Sequence, residues 1–337
     1  MTDILTKKCE LFDRNRIAIS KKFISENTLM SIAASLLFTA ADKDADIEKL
    51  TDCRNILKNH TGFFSEYRNI VEIALISEMT LSHDAEQYIE DVKEVYQKLR
   101  KGKLQNNSYM VLAAMLMCDI GKQDRSDEIL EKYNEIIKNM EKLHPILTDS
   151  KDISYVILLA LSNRPVDTII SDMNECFDYL KKTCKIKIGS DSIQELSEIL
   201  ALKDGDMKEK CDNVIKLYNT LKEKKAAVGD GAAFSSLGTL IDIDEKPEII
   251  INEILKVDKY LKGCKGFNEE SVNKKQRLLF AEILVAQTHG AGTAMLSNAF
   301  INSTINVIIA QRISAIISII SNVLPAAIGS VIEQDSK

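Results

Sequence analysis

The chain has no tryptophan, only four prolines and only thirteen glycines in 337 residues. So few breakers exclude a many-turned β fold and favour long helices. Seven cysteines are present (Cys9, Cys53, Cys118, Cys176, Cys184, Cys211 and Cys264), with no CxxC pair among them. Their scatter excludes a disulfide framework or a zinc knuckle and reads as buried or half-buried thiols of a reducing cytosol. The four histidines (His60, His83, His144 and His289) include no pair at i, i+3 or i, i+4, so no helix carries a two-histidine metal clamp. A basic excess is also missing. Forty-four Lys and Arg stand against 50 Asp and Glu, a net charge of -6, which argues against a nucleic-acid partner by bulk charge. The start, Met1 to Lys8, is polar, so no signal peptide is expected and the predicted location is cytoplasmic. What the chain does have is 45% hydrophobic and 28% charged residues, enough apolar material for a large core.

That material is periodic. An apolar segment recurs with anchors at Leu37, Met79, Leu116, Leu159, Leu200, Leu240 and Leu284, in steps of 37 to 44 residues. A second segment follows each of the first six, anchored at Leu57, Leu99, Ile137, Leu180, Leu221 and Leu261, always 20 or 21 residues later. Within it the apolar spacing is helical, as in Val92, Val95, Tyr96 and Leu99, or Val214, Leu217, Tyr218 and Leu221. Each unit of about 40 residues therefore reads as a helix, a turn and a second helix, a length suited to HEAT-like pairs. The turns carry helix-start chemistry: Pro165 and Pro247 as first-turn prolines, and Asp46, Asp84 and Asp206 as candidate caps. Tyr96, Tyr133, Phe177 and Tyr218 recur at one position of the unit and read as packing between units.

Several stretches together resemble a known family: LFDRNR, TLMSIAASLLFTAADKDAD, CRNILKNHTGFFSEYR, SYMVLAAMLMCDIG and KKQRLLFAEILVA. They are similar to a family of bacterial cytosolic proteins, mostly from Gram-positive species, catalogued as a domain of unknown function. The resemblance spans nearly the whole chain. It implies a cytosolic all-helical protein, and it implies no catalytic residue.

The remaining motifs are weak. Asp42, Asp44 and Asp46 open like a calcium loop, but Ile47 stands where that loop needs glycine and Cys53 where it needs glutamate. They read as a solvated acidic helix start. The glycine-rich spots, Gly229–Gly231 and His289–Gly292, match no phosphate-binding fingerprint and read as turns. No nucleophile motif is present, so no catalytic, cofactor-binding or metal-ligating residue is assigned and no cofactor is expected.

Charge is sorted along the units. Acids gather at the first turn (Asp42, Asp44, Asp84, Glu86, Asp124, Asp167, Asp204, Asp206, Asp242, Asp244), and bases gather at the ends of the second helices (Arg100, Lys101, Lys103, Lys181, Lys182, Lys185, Lys222, Lys224, Lys225, Lys262, Lys265). Complementarity to helix ends accounts for the pattern, and a stacked array would turn it into one acidic and one basic edge. From Ile283 to Ile332 the only formal charge is Arg312, and Ile313–Ile332 is a charge-free run interrupted by Ser314, Ser318, Ser321, Asn322, Pro325 and Gly329. Such a run suits a buried cap, a dimer helix or a membrane segment, with the cap favoured.

The expectation is an all-α, α-solenoid-like array of six to seven helical hairpins over residues 1–290, with an apolar C-terminal helical segment, 291–337, packed on it. The expected function is a non-enzymatic interaction scaffold with a protein partner or self-association. The alternatives are an enzyme of the α/α-toroid kind with a central pocket, and a peripheral membrane protein that uses 313–332. Polar, clustered inward positions would favour the enzyme, and apolar, filled ones the scaffold.

Overall fold

Two kinds of helix alternate along the chain, and their compositions decide their places. The computed structural model describes residues 1–23, 28–63, 65–68, 71–101, 108–143, 147–148, 152–182, 187–226, 232–267 and 272–290. Among them the fold is all-α, with no strand. The amphipathic helices are α1 (Asp3–Lys22), α3 (Ile47–His60), α5 (Ala85–Lys101), α7 (Ser126–Leu143), α9 (Val166–Lys182), α11 (Met207–Glu223) and α13 (Pro247–Gly263). Each buries one stripe, such as Leu5, Cys9, Phe12 and Ile19 in α1, and turns its charged face to water. The apolar helices between them are α2 (Thr28–Ala40), α4 (Glu72–Leu81), α6 (Ser108–Asp119), α8 (Asp152–Leu161), α10 (Ser190–Leu200) and α14 (Lys274–Gly290). The sixth place in that series is taken by the short α12 (Ala232–Ser235) and the 3-10 turn Ser236–Thr239. α2, α4, α6 and α8 are apolar nearly all round, and α10 and α14, though they carry more polar residues, are buried along most of their length, so together they form an inner layer. In α2, every residue from Leu29 to Thr39 is buried.

The inner helices pack in chain order, α2 on α4, then α6, α8, α10, α12 and α14. The outer ones follow the same order from α1 to α13. The principal partner of each outer helix except α11 is the inner helix after it: α1 with α2, α3 with α4, and so on to α13 with α14; α11, which precedes the short sixth inner place, packs mostly on α9 and α13. This differs in phase from the unit read in the sequence, which joins each apolar segment to the amphipathic one behind it. The short inner-to-outer turn is conspicuous in the sequence, but it only redirects the chain; the interface forms across the longer return.

The two ends of the series meet. α1 packs on both α13 and α14. Phe267, just beyond α13, lies 5.9 Å from the Phe12 ring of α1 and 6.4 Å from the Phe280 ring of α14. The Arg16 guanidinium covers its face at 5.3 Å. The fold is thus closed on itself, where an open superhelix would leave two apolar ends.

All seven anchors of the apolar segments are buried, from Leu37 to Leu284. Of the six amphipathic anchors, Ile137 is only half-buried, and Ile136 takes the interior place in α7. Asp46 and Asp206 cap α3 and α11 by accepting from the Lys49 and Glu209 backbone amides. Asp84 does the same at α5 through Glu86 and Gln87. Pro247 opens α13 as a first-turn proline. His144, Cys184, Gly229–Gly231, Lys103, Lys185 and the whole run 291–337 lie outside the described residues, and so do the cap, dimer and membrane readings of that run. Among the described residues no helix is long and apolar enough to cross a membrane.

Candidate functional site

Alternation of inner and outer helices puts every inner-to-outer turn at one rim of the ring. Neighbouring turns touch there. Arg164, in the α8–α9 turn, donates to Asp204 in the α10–α11 turn at 2.7 Å, and Lys203 reaches Asp242 in the next turn at 2.5 Å. The acids expected at these turns are exposed: Asp42, Asp44, Asp84, Asp124, Asp167, Asp204, Asp206, Asp242 and Asp244. The bases at outer-helix ends, Lys58, Lys181, Lys182, Lys222, Lys224 and Lys262, are exposed at the other rim. Asp42, Asp44 and Asp46 do not converge on a cation. Asp42 pairs with Lys8 at 2.5 Å, Asp44 with Arg14 at 3.2 Å, and Asp46 caps α3.

A device absent from the motif reading holds this acidic rim together. The last carbonyls of an inner helix lack amide partners and carry the negative end of its dipole. A lysine from the outer helix before it reaches across to them. Lys8 Nζ donates to Thr39 O at 3.0 Å, Lys49 Nζ to Thr80 O at 2.7 Å, and Lys132 Nζ to Ser162 O at 2.6 Å. Lys210 serves Leu200 O, at the end of α10, from the following helix, at 2.9 Å. Burial and the nearby Arg164 lower the Lys132 and Lys210 ammonium pKa values. Arg164 itself is buried and joins three elements: its guanidinium donates to Asp204, to Asp172 at 2.6 Å and to the Ala201 carbonyl. The only sequence signal for Lys8, Lys49 and Lys132 is a separation of 30–31 residues from the carbonyl they serve, with no local motif.

The inner layer also contains carboxyls that the sequence reading passed over. Glu195 and Glu198 of α10 and Glu282 of α14 are buried. Ser235 donates to Glu195 at 3.1 Å. Ser236 lies 2.5 Å from Glu282, and its hydroxyl is also 3.1 Å from the Ala233 carbonyl. One hydroxyl has one proton. Burial pushes the Glu282 carboxyl up to about 8. A protonated Glu282 donates to Ser236, whose own proton then serves Ala233, and the chain of bonds closes. On α10, Gln194 donates to Asp152 of α8 at 3.2 Å. Among the described residues no three His, Cys, Asp or Glu side chains assemble a metal site. His60 pairs with Glu90 at 2.5 Å and His289 with Glu253 at 2.6 Å, in different parts of the ring. The inner layer is mostly apolar, and some of its buried polar atoms, Gln194 Oε1, Glu282 Oε1 and both polar atoms of the Gln287 amide, have no hydrogen-bond partner among the described residues.

On the outer surface, the second half of α1 and the start of α3 frame an open groove of about 540 Å³ lined by Arg14, Ile17, Ala18, Lys21, Lys22 and Ile47. Its walls are basic, and its floor is aliphatic.

No curated protein and no solved structure matches the chain. One family model does, over residues 15–314, described as "Protein of unknown function (DUF4003)". That span runs from within α1 through every helix of the ring, so the chain belongs to the DUF4003 family.

Proposed function

We propose that the protein is a cytoplasmic, non-enzymatic interaction scaffold that engages a protein partner, or further copies of itself, through its rims. The observation that carries this reading is the sorting of exposed charge, acids at the inner-to-outer turns and lysines at the opposite helix ends. Two rims of opposite sign steer and orient partners over a long edge. The basic-walled groove on α1 adds apolar area where an acidic amphipathic segment would rest. The test is a charge-reversed ring, with Lys181, Lys182, Lys222 and Lys224 all changed to Glu. Circular dichroism should be unchanged, while association, followed by sedimentation and by capture from the native cell at low and high salt, should be lost. Identical partners and identical salt dependence in both proteins would refute the reading.

A second reading is favoured by the closed ring and its interior carboxyls. In an α/α-toroid enzyme, a carboxyl held protonated at neutral pH, as Glu282 is, serves as a general acid. Glu282→Gln keeps the shape and removes the acid. A hydrolytic activity present in the wild type and absent from this variant would support that reading over the scaffold.

A further inference from the structure

Two of the buried thiols touch. Cys176 of α9 and Cys211 of α11, 35 residues apart in the chain, stand 3.3 Å from each other, sulfur to sulfur, with Cys211 donating. Both are fully buried. α9 and α11 are neighbours in the outer layer, and two polar pairs beside the sulfurs set their register. Tyr179 donates to Asp212 at 2.8 Å, and Lys208 Nζ lies 3.8 Å from Glu175. Each cysteine belongs to the buried stripe of its helix, with Met173 and Leu180 on α9, and with Met207 and Val214 on α11. The contact is therefore a product of helix packing, made by two side chains that cannot turn out to water.

As a filler, a thiol is a small apolar group; what two of them in contact add is chemistry. A disulfide needs its sulfurs about 2.05 Å apart, so this pair must close by about 1.2 Å, a movement within reach of side-chain rotation. Cytosolic bonds of this kind are transient and responsive, unlike the permanent framework that the scattered cysteines exclude.

We propose that Cys176 and Cys211 form an oxidative modification site that takes up a reversible disulfide in response to a peroxide. The first sulfur attacks one peroxide oxygen as the O–O bond breaks. A sulfenic acid forms, and the displaced hydroxide leaves as water with the proton of that thiol. The second sulfur, already in contact, attacks the sulfenic sulfur. The S–S bond forms, the S–O bond breaks, and the hydroxide leaves as water with the second proton. Two thiols and one peroxide give one disulfide and two waters; the sulfurs are oxidised and the peroxide oxygens reduced. Holding the partner thiol in place makes the second step intramolecular, so the bond forms before further oxidation of the first sulfur. The bond staples α9 to α11. The last turns of these helices present Lys181, Lys182, Lys222 and Lys224. On the scaffold reading, the staple would thus fix the spacing of two basic clusters that a partner meets; the chemistry itself does not rest on that reading.

The test exposes the full chain to graded hydrogen peroxide well below its melting temperature, blocks the remaining thiols with an alkylating agent, and digests without reductant. Mass spectrometry should find the Cys176 and Cys211 peptides joined, in a chain lighter by two hydrogens and still monomeric. Dithiothreitol should restore both thiols. The oxidised protein should melt about 5 °C or more above the reduced one, because the staple restricts the unfolded chain. Cys211→Ser should abolish the link and the shift in Tm, while Cys118→Ser, at a half-buried thiol elsewhere, should keep both. The link is read in the wild-type chain, so the result survives a variant that fails to fold. Recovery of Cys176 and Cys211 as alkylated thiols, at a dose that oxidises Cys118 or joins Cys9 to Cys264, would overturn the proposal. So would a link that forms only above the melting temperature, or conversion of either sulfur to a sulfinic acid in place of the bond.

Discussion

Glu282 carries the most informative titration in the molecule. Its carboxyl, buried against Ser236, is raised from 4.5 to about 8. An acid whose folded pKa is raised holds its proton in the native state while the unfolded chain has lost it. Stability contributed by the neutral form is therefore complete below 4.5 and is lost as pH rises toward 8, at ~1.4 kcal/mol per pH unit within that window. Glu282→Gln, whose amide also donates to Ser236, should be near-neutral at pH 5 and relatively stabilised at pH 8. Thermal melts of both proteins from pH 5 to pH 9 would show parallel curves if the carboxyl were ionised throughout. The interior anchors make a simpler prediction. Leu159 and Leu200 are buried in α8 and α10. Leu159→Ala and Leu200→Ala should each cost ~2–5 kcal/mol in denaturant unfolding, and unmoved midpoints would remove both from the core. These anchors were legible in the sequence because burial follows from an apolar residue at a helical period. Glu282 was not, because its partner Ser236 is 46 residues away and only the fold brings them together.

At the scale of the helix, the decisive question is where the end carbonyls of the inner helices find donors. Lys8, Lys49 and Lys132 answer it from the neighbouring outer helix, and Arg164 answers it for α10 at the Ala201 carbonyl while it ties the α8–α9 turn to Asp204. An ammonium held on a partly buried helix C-terminus contributes up to ~2 kcal/mol, well above an exposed ion pair. Lys132→Met keeps the aliphatic stem and removes the donor; it should cost ~1–2 kcal/mol and raise amide exchange at the end of α8. Arg164→Lys keeps the charge and loses the planar fork. With Asp172 and the Ala201 carbonyl left without their guanidinium donor, it should cost ~2–3 kcal/mol. Equal stability of Arg164→Lys and wild type in urea would mean that one charge, and not the three-way geometry, holds the turns. The sequence made the helices readable at this scale, since all-round apolar and one-sided apolar segments alternate with a steady offset. It left the packing phase unreadable: the offset from each apolar anchor to the next amphipathic one is 20 or 21 residues and the offset back to the next apolar anchor runs from 17 to 23, so the steadier spacing marks the short turn, while periodicity alone does not say which neighbour a helix packs on.

Closure is the property of the whole molecule that no local pattern announces. It depends on α1 meeting α13 and α14 across nearly the full length of the chain. The seam is narrow and built around Phe267, which fills the space between Phe12 and Phe280 under the Arg16 guanidinium. Gly266, just before it, has φ +89, a conformation that side-chain-bearing residues avoid, and a Cβ there would come within 2.9 Å of Arg16 Nη1. Cys9 and Cys264 are also close enough to act on each other: burial, and then the neighbouring Cys264, push the Cys9 thiol up to about 12. Closure removes both apolar ends that an open stack must cap with polar repeats, and this explains why α1 and α14 carry apolar residues at the seam. Phe267→Ala should cost ~3–5 kcal/mol, and Gly266→Ala should also destabilise, by strain and not by lost area. The two variants separate closure from simple packing when stability is measured beside solution scattering. If the ring depends on its seam, both variants should raise the radius of gyration at temperatures below the main transition, while circular dichroism still reports intact helices. A loss of stability with an unchanged radius up to global unfolding would make the seam an ordinary piece of core and the ring a single cooperative unit that cannot open at one joint.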